Sequence, residues 1–468
     1  MKQRVEGQIQ PHIKAGIFHI RIPFVHYSLP LPEIITGLVL AFVHFAVVPI
    51  YTNVLGMTIP QAYTVVITHV FLMLLHTTLG DAAPGGWITA SIPLTVAFIS
   101  GFPEGVERIH ALIAVQFWVG AIILVLGVSG LAKTVVGKLP QSLKAGVLMG
   151  AGIAGFFAVL SPHSTSAWNI ANFPLGIGVT MVVVVALVWS HSLLAHRGTV
   201  KWIKILQQYA MPVGFLVGVV VGTISGEIPP PEIMWGFVPT DFAGVISGFS
   251  VIGIGFPSAA TLAQAFPLGI LIYVIAYGDM VFGQTLIGSA SKRRPDEKID
   301  IHPGRAHIVV AIRNFIHIFT GPLVTMAGPY WTSLTAVVVD RWQGSKQMSS
   351  LFSGLATVVW FLAIGAIIGP IISIPGNAFE IALAITLIMQ GFVAAYIAMG
   401  MIKYVQQAGI AFFMAVTIAF VGVAQGLGLG IILYFLVEFR QKREDRFEEV
   451  EEPLPMVKES AATGDASA

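Results

Sequence analysis

Two apolar segments broken by Gly and Pro hold the side chains best placed to do chemistry. Residues 83–91 read Ala-Pro-Gly-Gly-Trp-Ile-Thr-Ala-Ser, and residues 327–335 read Ala-Gly-Pro-Tyr-Trp-Thr-Ser-Leu-Thr. One constant offset sets Trp87 on Trp331, Thr89 on Ser333 and Ser91 on Thr335. Pro84 with Gly85-Gly86, and Gly328-Pro329, disfavour helix, so each segment is expected to enter as an extended strand. Past the tryptophans, helix is expected to start near 89–91 and 332–335. Such a start offers unpaired N–H groups, hydroxyls and the positive end of a helix dipole. That combination can hold an anion, or the electron-rich edge of a polar ligand, without a basic side chain. A single break reads as a structural kink, whereas two at matching places in two halves point to a transporter's substrate site.

The elements that must carry these segments follow from composition. Of 468 residues, 56% are hydrophobic and 10% charged, with a mean hydropathy of +0.84, which is a polytopic membrane protein rather than a soluble domain. A net charge of +2 suggests no nucleic-acid partner, and the absence of cysteine excludes disulfides and thiolate metal sites. Apolar runs of spanning length lie near 33–55, 60–79, 108–131, 140–160, 173–195, 203–226, 264–290, 303–319, 349–371, 377–399, 404–421 and 424–439. The two broken segments, about 81–101 and 322–342, bring the count to fourteen. The 303–319 span is among the least secure, being short and interrupted by Arg313.

Loop charge supports that count. Lys and Arg collect at every second connection, among them Lys133, Lys138 and Lys144, then Arg197, Lys201 and Lys204, then Lys292 to Arg305, while connections near 52–59, 161–172, 227–248 and 371–379 hold none. Both termini are therefore expected in the cytoplasm of a cell bounded by this membrane, here read as the plasma (inner) membrane. Seven spans per half is odd, so the second half should lie inverted relative to the first. The expected organisation is a cytoplasmic segment 1–32, a first repeat 33–227, an extracytoplasmic linker 228–263, a second repeat 264–440 and a disordered tail 441–468. No cleaved signal peptide is evident, and residues 12–29, mixing aliphatic and cationic residues, fit a short interfacial helix or an ordered tail.

At this point the chain resembles the uracil/xanthine permease and SulP sulfate-permease group, through the matched broken segments, Val43-His44 in span 1 and Val274-Ile275-Ala276 in span 8. The resemblance covers roughly residues 33–440. It implies an all-α fold of fourteen spans in two inverted repeats, with spans 3 and 10 half strand and half helix. It further implies a core domain bearing the site on spans 1, 3, 8 and 10, and a gate domain from spans 5–7 and 12–14 that usually forms a dimer. The chain departs from the nucleobase branch where Tyr277 and Thr332 stand in place of glutamates. Losing two base-reading carboxylates leaves a site attractive to anions, as in the SulP branch, yet no soluble STAS domain follows Arg440.

Other polar residues complete the expectation. Asp279, near the middle of span 8, is an intramembrane ionisable group and so a candidate for ion coupling, with Arg313 as the alternative structural partner. Tyr277 would line the pocket together with His44, which matches a ligand-contact position of nucleobase permeases. His69 and His76 share a face of span 2 and read as packed or interfacial; Asp81 reads as a solvated loop carboxylate; Asp340, Arg341 and Lys346 read as interfacial ion pairs. No GxxxxGK[ST] loop, HExxH pair or G-x-S-x-G elbow is present. The expectation is a secondary active transporter, not an enzyme, for a small anion or anionic metabolite. Thr89, Ser91, Thr332, Ser333 and Thr335 would bind substrate, with Trp87 and Trp331 as walls. Asp279 would bind a coupling proton or sodium ion, and no other cofactor is expected. A nucleobase carrier or an anion channel of the same fold are the rivals.

Overall fold

The structure is a computed structural model that describes residues 4–196, 200–344, 348, 350–373 and 378–439. Arg197, Lys346 and the tail 441–468 lie outside the described residues. The chain first forms a hairpin, β1 (Ile13–Ala15) and β2 (Phe18–Ile20), paired antiparallel with Ile13 opposite Ile20. Of the two expectations for 12–29, an interfacial helix and an ordered tail, the hairpin rules out the helix over these residues. Gly16 takes a left-handed φ of 62° in a two-residue loop, the position where glycine makes a tight hairpin, and Pro11 and Pro23 bound the segment.

The longer helices follow in chain order: α1 (Leu31–Asn53), α2 (Ile59–Thr78), α3 (Thr89–Ser100), α4 (Val106–Ser129), α5 (Gln141–Leu160), α6 (Pro174–Trp189) and α7 (Ala210–Ser225). Then come α8 (Ala259–Ser291), α9 (Pro303–Thr320), α10 (Thr332–Gly344), α11 (Leu351–Ala366), α12 (Phe379–Met401), α13 (Val405–Phe420) and α14 (Val423–Glu438). Each apolar run read from the sequence overlaps one of them. Among the described residues, six are long and apolar enough to cross a membrane and six more are shorter apolar helices. The region 228–263 is not a bare linker, since it contains helices Phe242–Phe249 and Val251–Ile254, and α8 begins at Ala259.

Packing divides these helices into two groups. In one, α1 lies on α11, α8 on α4, α2 on α11 and α9 on α4; in the other, α5 lies on α12 and α13, α6 on α7 and α13 on α14. Exchanging each helix for the one seven places away maps the first group's pairs onto one another, and likewise α6–α7 onto α13–α14. Two glycines make the first pair of contacts close: a Cβ on Gly37 would sit 2.5 Å from the Val358 carbonyl of α11, and one on Gly269 would sit 2.6 Å from Trp118 Cβ of α4. Only a residue without a side chain fits at such a crossing.

Between the groups, the two broken segments cross. β3 (Gly86–Trp87) pairs antiparallel with β4 (Ala327–Gly328), Gly86 opposite Gly328. The pairing is extended by the Trp331 N–H donating to the Pro84 carbonyl at 2.8 Å and the Ile88 N–H to that of Thr325 at 3.1 Å. Each strand leads directly into its half-helix, α3 or α10.

Candidate substrate site and the buried network behind it

Extended backbone at membrane depth must find hydrogen-bond partners from protein. Here polar side chains of α4 and α9 supply them. The Leu323 N–H donates to Gln116 Oε1 at 2.7 Å, and Asn314 both accepts from the Ala327 N–H at 3.1 Å and donates to its carbonyl at 3.0 Å. Arg313 spans both strands, donating from Nη1 to the Gly328 carbonyl at 3.0 Å and from Nη2 to that of Gly86 at 3.2 Å. A side chain on Gly85 would run into this guanidinium and into His76.

The histidines around Arg313 have their tautomers set by it. An arginine only donates, so His76 Nε2, 3.1 Å from Nη1, accepts, and Nδ1–H points to Asp81 Oδ2 at 2.9 Å. His69 Nε2 accepts likewise at 3.5 Å, which leaves its Nδ1–H as a buried donor without a partner. His317 gives Nδ1–H to the Gly321 carbonyl at 3.1 Å and keeps an unpaired Nε2 acceptor, its ring centroid 5.5 Å from that of His69. Asp81 is 1% exposed and bonds Arg305 Nε at 2.9 Å. The expectation of a solvated Asp81 is therefore corrected, and His69 and His76 are packed rather than interfacial: these residues form one buried network.

That network continues to the basic-loop side. Arg305 also reaches the Gly80 carbonyl at 2.8 Å and Asp300 at 3.4 Å, and Asp300 holds Arg21 at 3.0 Å and His19 at 2.6 Å. The hairpin is thus bolted to the start of the first break. Arg341 pairs with buried Glu33 at 2.9 Å, joining the end of α10 to the start of α1.

In front of the crossing lies a cavity of about 370 Å³ between the two packing groups. Trp87, Thr89, Trp331, Ser333 and His44 line it, and the His44 ring stands edge-on to both indoles, at 4.7 Å from Trp87 and 5.0 Å from Trp331. Its opposite wall is Gln207, Tyr209, Met211, Thr386, Met389 and Gln390. Among the described residues, no Asp, Glu, Lys or Arg lines it.

The remaining expected site residues are placed elsewhere. Ser91 and Thr335 are buried and give their hydroxyls to local carbonyls, of Ile88 at 2.7 Å and Trp331 at 2.8 Å, the usual fate of a hydroxyl in a helix's first turn with no other acceptor in reach. Thr332 turns its methyl toward Gly283 of α8. Tyr277 borders a separate void of about 10 Å³ with Tyr273 and His307. Asp279 is half-buried on α8, outside the cavity wall, and Arg313 is not its partner; among the described residues nothing pairs with its carboxylate.

The arrangement defines a helical membrane protein with two half-helices meeting beside a cavity. No family model and no curated protein sequence matches the chain. Among solved structures, murine Slc26a9, an anion transporter captured in an inward-facing state, matches 88% of this chain at 15% identity with a TM-score of 0.51; this chain covers 69% of it. A second SLC26A9 structure matches equally, and there this chain spans 65% of the other's length. The transmembrane domain of a cyanobacterial bicarbonate transporter, BicA, aligns over 88% of this chain and 97% of its own, at 14% identity and a TM-score of 0.47. The fold is that of the SLC26 transmembrane region, and these neighbours are transporters, not enzymes.

Proposed function

We propose that the chain is a secondary active transporter of an anion, built as fourteen spans in two inverted repeats, with one packing group moving elevator-like against the other. The observation that carries the anion reading is Arg313. It is fully buried, and its contacts are two carbonyls and two neutral histidine nitrogens; among the described residues no carboxylate lies within ion-pair distance. Arg305, two turns earlier on the same helix, has both Asp81 and Asp300. A buried cation left without a counter-ion is costly, and its field passes one strand's thickness into the cavity, where Thr89, Ser333 and two helix starts add to it. A bound anion supplies the missing charge.

Gln207, Tyr209 and Met211 of the opposite wall follow closely on the basic connection with Lys201 and Lys204, so the state is read as inward-facing, with the termini cytoplasmic. Asp279 remains the proposed coupling site: an unpaired carboxylate at that depth is costly, and a proton or sodium ion would relieve the cost. The homodimer is carried by likeness to the SulP group alone. The test is melting of the purified protein with inorganic anions, carboxylates and neutral nucleobases. An anion should raise the melting temperature by mass action, and Thr89→Ala with Ser333→Ala should remove at least half of the shift. Stabilisation by nucleobases alone would overturn the reading in favour of a heterocycle carrier.

A further inference from the structure

We infer that the ligand of this cavity is an aromatic or heteroaromatic carboxylate rather than a small inorganic anion; the inference rests on the anion reading above. The first reason is size. The cavity's 370 Å³ falls in the range of sites that enclose drug-sized molecules, about 300–1,000 Å³, and equals the liquid volume of on the order of ten waters at roughly 30 Å³ each. An ion of three or four heavy atoms at Thr89 and Ser333 leaves most of it unfilled.

The second reason is the nature of the wall. Immediately beside the half-helix starts stand Trp87 and Trp331, with His44 edge-on to both. Flat aromatic surface is recognised best by another ring, stacked or edge-on, and gains little from a compact hydrated ion. The third reason lies at the two ends of the cavity. The Trp87 indole N–H is buried without a partner, and across from it Gln207 has both its amide oxygen and its amide nitrogen buried without partners. Leaving such groups unpaired is costly. A planar ring with a carboxylate at one end and a donor–acceptor edge at the other reaches both sets at once: the carboxylate accepts from the Trp87 indole N–H, Thr89, Ser333 and the helix starts, the ring stands against the aromatic wall, and the far edge meets the Gln207 amide.

The experiment compares the midpoint concentrations at which probes stabilise the purified full chain. The probes are benzoate, 4-hydroxybenzoate and nicotinate; formate, bicarbonate and chloride; and neutral nicotinamide. The ring carboxylates should act at concentrations at least tenfold below formate and bicarbonate, and nicotinamide should not act. 4-Hydroxybenzoate should act at lower concentration than benzoate, and Gln207→Leu should erase that difference. Equal action of formate, bicarbonate or chloride and benzoate overturns this inference and leaves the anion reading standing. Action of nicotinamide without nicotinate, or of no anion at all, overturns both.

Discussion

Arg313 and Asp81 are the residues on which the site depends most, and each makes a separate expectation. Arg313→Gln can still donate to one strand carbonyl but carries no charge; anion binding should weaken at least tenfold, while affinity for a neutral probe should be unchanged. Should that variant fail to fold, Arg313→Lys keeps the charge and should retain binding better than any neutral replacement. Asp81→Asn leaves Arg305 with Asp300 as its one carboxylate and keeps a single acceptor oxygen where two are used, by Arg305 Nε and by His76 Nδ1. Breaking a buried pair costs about 3–5 kcal/mol, so the melting temperature should fall clearly; a change within error would mean that Asp300 suffices. Of these residues, the sequence shows His69 and His76 on one helical face but not their bonds. Asp81 comes five positions after His76, a spacing no helix brings together. It reaches the ring because α2 ends at Thr78 and Gly80, at φ 111°, turns the chain back. Arg313 meets His76 across 237 positions of sequence, and no periodicity encodes such a contact. Trp87, Thr89, Trp331 and Ser333 were legible because a strand-to-helix break is a local event.

The crossing strands and the hairpin set expectations for whole elements. Polar residues in α9 made the 303–319 span look insecure, and the reason is now physical: α9 is the strut that satisfies the broken backbone, through Arg313 and Asn314. Asn314→Leu is nearly isosteric yet strands the Ala327 N–H and carbonyl and one amide bond from Gln116. Each buried group so orphaned costs about 1–3 kcal/mol, which calorimetry or a melting assay should register; an unchanged melting temperature would show that the crossing does not need the strut. The hairpin is held at Asp300. Burial pushes that carboxyl up, but the His19 hydrogen bond and the Arg305 and Arg21 charges more than reverse this and hold it below its ordinary value. A depressed carboxyl contributes stability that is present above its unfolded value and is lost as pH falls through the folded one. Protease cleavage or hydrogen exchange within residues 10–27 should therefore stay slow at neutral pH and accelerate below about pH 4. Protection that persists under acid would remove Asp300 as the anchor. The alternation that makes this hairpin is three residues per strand, too short to outweigh the mixed aliphatic and basic composition that suggested a helix.

For the whole molecule, the paired contacts of α1 with α11 and α8 with α4 are each closed by a glycine, Gly37 at one crossing and Gly269 at the other. Between the two packing groups, Tyr209 hydroxyl and Thr36 Oγ1 lie 3.0 Å apart at the cavity's edge, a contact that must break if one group slides past the other. Tyr209→Phe should alter uptake rate severalfold and leave equilibrium affinity within about twofold. Asp279→Asn should abolish gradient-driven uptake while sparing exchange of substrate for substrate; driven uptake at the normal rate would remove Asp279 from coupling.

The most direct measurement of the central claim is exchange in proteoliposomes loaded with a single unlabelled anion, following entry of the same labelled anion. With wild-type protein, entry should saturate and accelerate severalfold over empty vesicles for at least one anion, and fall at least tenfold with Arg313→Gln. Equal entry with both proteins, or acceleration only by neutral heterocycles, would contradict a site whose missing counter-ion is the substrate.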